Sequence, residues 1–387
     1  MFTDYFFPEL GGIQDSIATL SRALGRRGHQ VEIYAPRYSA RDYRRIGAAM
    51  TERDLGANVR VRRRRSLPFP SSTRQSRAAF PSPAAAVAML RRRPDIIHTH
   101  SFFGIGLEAL LNGTVLGIPV IGTNHTTVAG FAPHIPISLR RASAYVRWFH
   151  NTCDYVTAPS RSVFAELGDP QRPYQVISNP IDTVLFRPAS AAQRQALPAR
   201  SGQTRPVITY AGRLGAEKNI EVLVRAMAVL RDRGVFAELM LAGHGAHEPI
   251  LRSLVATLRI DRQVRFLGTL PQADLAPLLQ ASNVFAIMST SETQSMVLLQ
   301  AMACGLPVVA ADSRALPEFV TAANGVLVPP HDPQALATAL ADLLAAPQRQ
   351  SALGAAGRRI AEQYSVETVT DEWETLYRSV LQRSSAV

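Results

Sequence analysis

Short apolar runs alternate with amphipathic stretches throughout the second half of the chain, and this alternation limits the possible folds more than any other feature. The apolar runs, rich in β-branched and aliphatic residues, lie at 207–211, 238–242, 264–267, 284–288, 307–310 and 326–328. Apolar residues at helical spacing occupy 218–233, 247–258, 272–280, 295–303 and 333–344. Strands that alternate with helices form parallel sheets covered by those helices. The second half is therefore predicted to be a doubly wound α/β domain.

The first half repeats this rhythm less regularly. Strands are predicted at 31–35, 96–99, 119–123 and 154–158, and helices at 13–27, 104–116 and 138–151. The segment 36–93 is rich in Arg, Pro and Ser and resists assignment, and it predicts a mobile loop near 66–82. The terminal stretch 366–383 is predicted to be one more helix.

Length and composition favour two domains. The 387 residues, 47% of them hydrophobic, can fill two cores of about 180 residues each. The linker is predicted near Asn179–Asp182 and Phe186–Pro188.

No apolar run approaches the ~20 residues that span a bilayer, and a secretory leader pattern is absent, so we expect a cytoplasmic protein. Cys153 and Cys304 lie in apolar contexts and predict buried thiols.

The formal charge of +12 is concentrated in the first half. Residues 1–187 carry 24 Lys+Arg against 13 Asp+Glu, a net +11, whereas residues 188–387 carry 18 against 17, a net +1. The arginines cluster, with apolar and aromatic residues nearby, at Arg60, Arg62 to Arg65, Arg74, Arg77, Arg91 to Arg93, Arg140, Arg141 and Arg147. Such a surface could bind an anionic membrane or nucleic acid, or could simply be a solvated face.

A single lysine, Lys218, stands among the 42 lysines and arginines of the chain. It lies with Arg213 in a turn between a predicted strand and a predicted helix, at the sheet edge where ligands bind in such folds. Two cations at a helix N-terminus suit a diphosphate, since the helix dipole and free N–H groups also attract anions. The alternative is an ordinary surface ion pair with a carboxylate such as Glu221.

Glycines occur at three turns where strands or loops lead into helices. Gly11 and Gly12 open the first predicted helix, Gly212 precedes Arg213, and Gly243 follows the predicted strand 238–242. Glycine lets a backbone approach a phosphate closely, although each turn on its own is a weak signal.

The stretch 289–309 carries the most specific pattern. Glu292 follows a predicted strand, a helix is predicted to begin near Ser295, and Gln300 lies about one and a half turns inside that helix. Glu292 and Gln300 could therefore address opposite ends of a ligand laid over the helix N-terminus.

With these residues the chain resembles the retaining glycosyltransferases of family 4, which have the two-domain GT-B architecture. The resemblance covers nearly all 387 residues. It rests on Glu292 with the tail Gly305–Val309, on the segment Gly212–Asn219, and on the segment Asn179–Pro188. In the family a second Glu follows the first after seven residues, and Gln300 occupies that position here.

The resemblance implies an α/β, GT-B fold of two doubly wound Rossmann-like domains facing across a cleft. Residues 1–187 would form the acceptor domain, joined by the C-terminal helix 366–387, and residues 188–365 would form the nucleotide-sugar donor domain. Arg213 and Lys218 would hold the donor diphosphate.

The remaining roles also follow from the resemblance. Glu292 would contact hydroxyls of the transferred sugar, and Gln300 would lie at the ribose. His125 would face the reacting sugar. Backbone groups would assist in donor binding at Gly11, Gly12, Gly243, Ser295, Met296 and Val297.

This sequence departs from the family at two points. Gln300 offers one acceptor and one donor where a carboxylate accepts from both ribose hydroxyls, so we expect weaker nucleotide binding. Only Met1 precedes the segment 2–8, where the family has a full β-strand; either the chain starts late or its central strand is shortened.

We expect a retaining transferase that moves a hexose, glucose from UDP-glucose, to a membrane lipid such as diacylglycerol. No Asp-x-Asp pair lies near the site, so neither a metal nor another cofactor is expected. The partners would be a nucleotide-sugar, a lipid or glycan acceptor and an anionic membrane surface, with no nucleic acid. The membrane surface would be the inner face of the cytoplasmic membrane. A soluble or polysaccharide acceptor, or a nucleotide-sugar-binding protein without turnover, are the alternatives.

Overall fold

The computed structural model describes residues 1–9, 11–45, 48–69, 77–81, 84–128, 138–168, 170–190, 193 and 205–385. The chain divides into two compact units, unit 1 with Met1–Pro180 and Val366–Val387, and unit 2 with Ile181–Ser365. The division lies at the predicted linker near 179–182.

Unit 1 is built around parallel strands, as the rhythm of the first half predicts. Its strands are β1 Val31–Pro36, β2 Val59–Arg64, β3 Ser66–Pro68, β4 Arg77–Ala79, β5 Ile97–Thr99, β6 Val120–Thr123, β7 Tyr155–Ala158 and β8 Tyr174–Val176. Its helices are α1 Gly12–Arg26, α2 Ala40–Arg45, α3 Ala84–Arg92, α4 Gly104–Leu116, α5 Leu139–Thr152, α6 Arg161–Leu167 and, from the end of the chain, α14 Val366–Ser385.

Phe2 joins the two parallel sheets of unit 1. The first sheet pairs β1 with β2, and the second has the order β5-β6-β7-β8. Phe2 forms parallel bridges with Tyr34 of β1 and with Thr99 of β5. A single bridging residue therefore lies between β1 and β5.

Helix α14 completes the core of unit 1. Its Trp373, Leu376 and Val380 pack with Phe6 and Ile17 in one buried cluster. Arg27 at the end of α1 also pairs with Asp371 at 2.5 Å. Unit 1 is consequently made from both ends of the chain.

Unit 2 contains one parallel sheet with the order β11-β10-β9-β12-β13-β14, in which each strand is joined to the next by a helix or loop. Its strands are β9 Val207–Ala211, β10 Glu238–Ala242, β11 Val264–Gly268, β12 Val284–Ile287, β13 Val308–Ala311 and β14 Gly325–Val328. Its helices are α7 Ile220–Asp232, α8 Glu248–Thr257, α9 Gln272–Ala281, α10 Met296–Ala303, α11 Leu316–Phe319, α12 Pro333–Leu344 and α13 Pro347–Glu362. The doubly wound prediction is confirmed, and strands β9 and β12 lie at the centre with all of their residues buried.

The structure also bears on the predictions for the segment 66–82, for the two cysteines and for membrane-spanning helices. The predicted loop near 66–82 is wrong at its ends, since β3 and β4 pair antiparallel there, and residues 70–76 and 82–83 lie outside the described residues. Both cysteines are buried and free, as predicted. Within the described residues, no helix is long and apolar enough to cross a bilayer.

Candidate active site

The turns after β9 and β10 bring the glycine-bearing segments of unit 2 into direct contact. The amide of Gly212 donates to the carbonyl of Ala242 over 2.9 Å. Gly243 has a φ of 143°, and a Cβ at this position would collide with the carbonyl oxygen of Gly212. Glycine is therefore required at Gly243 for both conformation and space. The two turns form one backbone surface at the carboxyl edge of the sheet.

Lys218 ends a single 3-10 turn, Ala216–Lys218, just before α7. Its ammonium donates to Oε1 of Glu292 over 2.7 Å, and only 17% and 12% of the two side chains are exposed. The ion pair of the alternative interpretation is present, but its carboxylate is Glu292 and not Glu221, which hydrogen-bonds with His247 at 2.7 Å. The lone lysine and the acid of the family pattern thus meet in one partly buried pair.

Arg213 also meets a carboxylate. Its guanidinium lies 2.7 Å from Oε1 of Glu217, with 41% and 36% of the two side chains exposed. The loop after β12 is tied to the same turn, since the amide of Thr290 donates to the carbonyl of Glu217 over 3.2 Å. This backbone hydrogen bond holds the loop that carries Glu292 beside the turn that carries Lys218.

Helix α10 begins where the sequence predicts. Ser295 caps it, and its hydroxyl accepts from the amide of Leu298 over 3.3 Å. The amides of Met296 and Val297 belong to the first turn, whose N–H groups find no acceptor inside a helix. They are suited to an anion in the way the resemblance implies.

Gln300 lies inside α10 with 4% of its surface exposed. Its Oε1 is buried and has no hydrogen-bond partner among the described residues. A buried carbonyl without a partner costs about 1–3 kcal/mol, so a ligand hydroxyl that donated to it would gain correspondingly.

In unit 1, the glycine pair of the first turn stands at the start of α1. Gly12 is the first helical residue, and Gly11 precedes it in an extended conformation with no side-chain cap. Leu10 lies outside the described residues. No capping side chain therefore occupies the backbone N–H groups at the start of α1.

His125 follows β6 and is 8% exposed. Its Nε2 lies 3.0 Å from Nδ1 of His100, which follows the neighbouring strand β5. Burial lowers the pKa of His125 to about 4, and burial followed by the charges of His98 and His125 lowers the pKa of His100. Both rings are therefore neutral at physiological pH, and one of the facing nitrogens must carry the proton.

His98 extends this histidine pair inward. Its ring centroid is 3.9 Å from that of His100. Its Nε2 hydrogen-bonds with Oγ1 of Thr123 at 2.6 Å, and its Nδ1 with the hydroxyl of Tyr377 at 2.8 Å. Thr123 of β6 and Tyr377 of α14 thus hold the His98 ring in one orientation.

His98, His100, Glu217 and Thr290 are the residues that the sequence analysis missed. A signal existed for the histidines, because they alternate at the carboxyl end of β5 and so share a face beside His125. Glu217 and Thr290 gave no such signal, because they act through pairing that only the folded turns define. The structure brings Lys218 and Glu292 together within unit 2, while Gly12 and His125 belong to unit 1.

Two family models match the chain in succession. Residues 10–185 match the model for Glycosyltransferase Family 4, and residues 193–360 match Glycosyl transferases group 1. The fold and the two matches define a GT-B glycosyltransferase.

Relatives with known names are similar to this chain over most of its length. The GDP-mannose-dependent alpha-mannosyltransferase of Mycolicibacterium smegmatis is 30% identical over 385 residues, covering 98% of this chain and 96% of the relative. The alpha-monoglucosyldiacylglycerol synthase of Streptococcus pneumoniae is 28% identical, covering 80% and 70%. The sulfoquinovosyl transferase SQD2 of Arabidopsis thaliana is 27% identical, and the match covers 81% of this chain and 62% of that protein. The chain belongs to glycosyltransferase family 4.

Solved structures show the same fold. Sucrose-phosphate synthase from Thermosynechococcus elongatus superimposes with a TM-score of 0.78 at 22% identity, covering 99% of this chain and 96% of the other. Anabaena HepE in complex with UDP gives a TM-score of 0.77 at 19% identity, covering 98% and 100%.

Proposed function

We propose that this protein is a retaining, metal-independent hexosyltransferase that moves glucose from UDP-glucose to a membrane lipid such as diacylglycerol. The observation that carries the proposal is the pair of Lys218 and Glu292, 2.7 Å apart at the carboxyl edge of the unit 2 sheet. The proposal is supported because Lys218, predicted to hold the diphosphate, and Glu292, predicted to contact the sugar, lie side by side near the start of α10.

The chemistry proceeds by exchange of partners. When the diphosphate arrives, the Lys218 ammonium and the Arg213 guanidinium turn from their carboxylates to the phosphate oxygens. Glu292 is then free to accept hydrogen bonds from the hexose hydroxyls. As the bond between the anomeric carbon of the hexose and the diphosphate oxygen breaks, the hydroxyl oxygen of the acceptor bonds to that carbon and its proton passes to the leaving diphosphate. Negative charge grows on the diphosphate during this step, where fixed cations stabilise it best. These cations do the work that a metal does in other transferases.

The lipid acceptor is supported by a relative. The relative from Streptococcus pneumoniae is named for monoglucosyldiacylglycerol, whereas the Mycolicibacterium smegmatis relative is named for GDP-mannose. We therefore assign a lipid acceptor and UDP-glucose, with GDP-mannose as the competing donor that an experiment must separate. A cytoplasmic, peripheral membrane location follows from this acceptor.

A nucleotide-sugar-binding protein without turnover is the second candidate. The observation that favours it is Gln300, an amide where the family pattern has a carboxylate. With Gln300 the family pattern of two acidic residues is incomplete, and a protein that binds the donor without turnover does not need the complete pattern.

A panel assay separates these functions. The purified chain is incubated with UDP-glucose, UDP-galactose or GDP-mannose, with and without diacylglycerol in mixed micelles, in the presence and absence of EDTA. We expect a glycolipid with UDP-glucose, unchanged by EDTA, and an α-anomeric proton signal in its NMR spectrum. Binding of UDP-glucose without glycolipid or free glucose would support the binding protein, and loss of product in EDTA would refute metal independence.

A further inference from the structure

Helix α5, Leu139–Thr152, presents an unusual outer face. Its inner face is buried through Ala142, Val146, Phe149 and His150. The outward positions, at helical spacing, are Arg140, Ala144, Arg147 and Trp148, all exposed. Trp148 is 52% exposed and Leu139, at the helix start, is 60% exposed.

The charge on this face is of one sign. The helix carries Arg140, Arg141 and Arg147 and no acidic residue in its sequence. Among the described residues, none of these arginines forms an ion pair. The face is therefore a net positive surface with apolar side chains set into it.

The arginine run of β2 is different, although its sequence is more basic. Arg62 pairs with Glu32 at 3.1 Å, Arg63 with Glu52 at 2.7 Å, and Arg64 with Glu108 at 2.6 Å. The expected role of Arg62 to Arg65 as a membrane contact is consequently weakened, because three of these four charges are neutralised within unit 1. The three arginines of α5, in contrast, form no ion pair among the described residues.

The exposed aromatic side chain of α5 is anchored to the core. The Trp148 ring lies 5.8 Å from that of Tyr145, and the Tyr145 hydroxyl donates to the carbonyl of Phe102 just before α4. Helix α4 packs in turn on α3 and β4, and three large apolar side chains, on α4, on α3 and just after β4, are exposed. These are Phe80 at 71%, Leu90 at 60% and Val115 at 71%.

We propose that the outer face of α5 docks unit 1 on an anionic lipid bilayer. Arginines attract the surface charge of the bilayer, while the Trp148 ring enters the boundary between headgroups and acyl chains. Tryptophan is favoured at that boundary because its ring is apolar and its N–H is polar. A DNA duplex would use the arginines but would leave the exposed Trp148 ring in water, so the lipid surface fits the face better.

The test follows the binding of the full chain to vesicles of phosphatidylcholine with 30% phosphatidylglycerol, by flotation at low salt. We expect Arg140→Gln, Arg141→Gln and Arg147→Gln together to lower the partition coefficient on the order of 100-fold, since each surface arginine contributes several-fold. The matched control removes three exposed arginines of unit 2, through Arg225→Gln, Arg262→Gln and Arg349→Gln. This control has the same net charge and should bind within about threefold of the wild-type chain.

Tryptophan fluorescence adds a local readout. The chain has two tryptophans, and Trp373 is buried at 3% exposure, so a change on vesicle addition reports Trp148. We expect a blue shift and quenching by brominated lipid, both lost in Trp148→Phe. Equal loss of binding in the unit 2 control, an unshifted spectrum, or tighter binding to a DNA duplex than to the vesicles would overturn the proposal. The assay contains no donor or acceptor, so its outcome is independent of the proposed transferase activity.

Discussion

At the scale of single residues, the candidate site is defined by charges that already have partners. Lys218 and Glu292 satisfy each other, and Arg213 satisfies Glu217. Charges this close to a carboxylate exchange it for a phosphate at little cost, because one anion replaces another. The sequence alone could predict each of these charges from its motif. It could not predict their pairing, which depends on two turns separated by about 70 residues.

Gln300 provides a prediction at the same scale. The Gln300→Glu variant should bind UDP more tightly by about 1–1.5 kcal/mol, because a carboxylate accepts charge-assisted hydrogen bonds from the ribose hydroxyls. Calorimetric titration with UDP measures the change.

The control for this variant is Gln363→Glu, which adds the same charge at an exposed position of unit 2. Its UDP affinity should match that of the wild-type chain. If Gln300→Glu binds UDP no more tightly than the wild-type chain, while its circular dichroism is unchanged, the ribose does not lie at Gln300.

At the scale of elements, β5, β6 and α5 enclose neutral histidines in unit 1. His150 of α5 is 1% exposed, and neither of its ring nitrogens has a hydrogen-bond partner among the described residues. Burial, followed by the charge of His125, lowers its pKa to about 3. Since this value lies below the unfolded pKa of 6.5, the unfolded chain binds more protons as the pH falls. Unit 1 should therefore lose stability from pH 6.5 downward.

The variant His150→Phe tests this dependence. Phenylalanine fits beside Phe102 and Phe149, which already contact the ring, and it cannot titrate. Between pH 7 and 5 the wild-type chain should lose about 2 kcal/mol more free energy of unfolding than the variant, at about 1.4 kcal/mol per pKa unit. Urea titrations followed by tryptophan fluorescence report unit 1, since Trp148 and Trp373 both belong to it.

His244→Phe is the control for that experiment, because His244 lies in unit 2 and is exposed. Its pH dependence should equal that of the wild-type chain. An unchanged pH dependence in His150→Phe would show that His150 is not held neutral in the folded state.

Helix α13 shows why some elements escape prediction from sequence. The strands β9 and β10 have the predicted bounds, because long runs of β-branched and aliphatic residues identify a buried parallel strand. Helix α13 was missed, since it packs through small residues: a Cβ at Gly354 would collide with the carbonyl oxygen of Gly305. Close packing of this kind leaves no periodic pattern of large apolar residues. Strand β2 was missed because its alternate positions are arginines.

At the scale of the whole molecule, the sequence analysis could predict two α/β units. The doubly wound rhythm, the start of a helix near Ser295 and the parallel sheet of unit 2 are confirmed. The domain roles and the substrates stay predictions. They depend on chemistry between a donor and an acceptor, which no pattern of residues along the chain encodes directly.

The most direct test of the account is the rate of UDP-glucose turnover by the Lys218→Ala variant. If Lys218 holds the diphosphate, kcat/KM should fall by about 10²–10³, the scale expected for the loss of a preorganised charge at a leaving group. Arg225→Ala, which removes an exposed cation from the adjacent helix α7, should leave kcat/KM unchanged. Turnover by Lys218→Ala within threefold of the wild-type rate would contradict the assignment of this lysine, and with it the donor site proposed for unit 2.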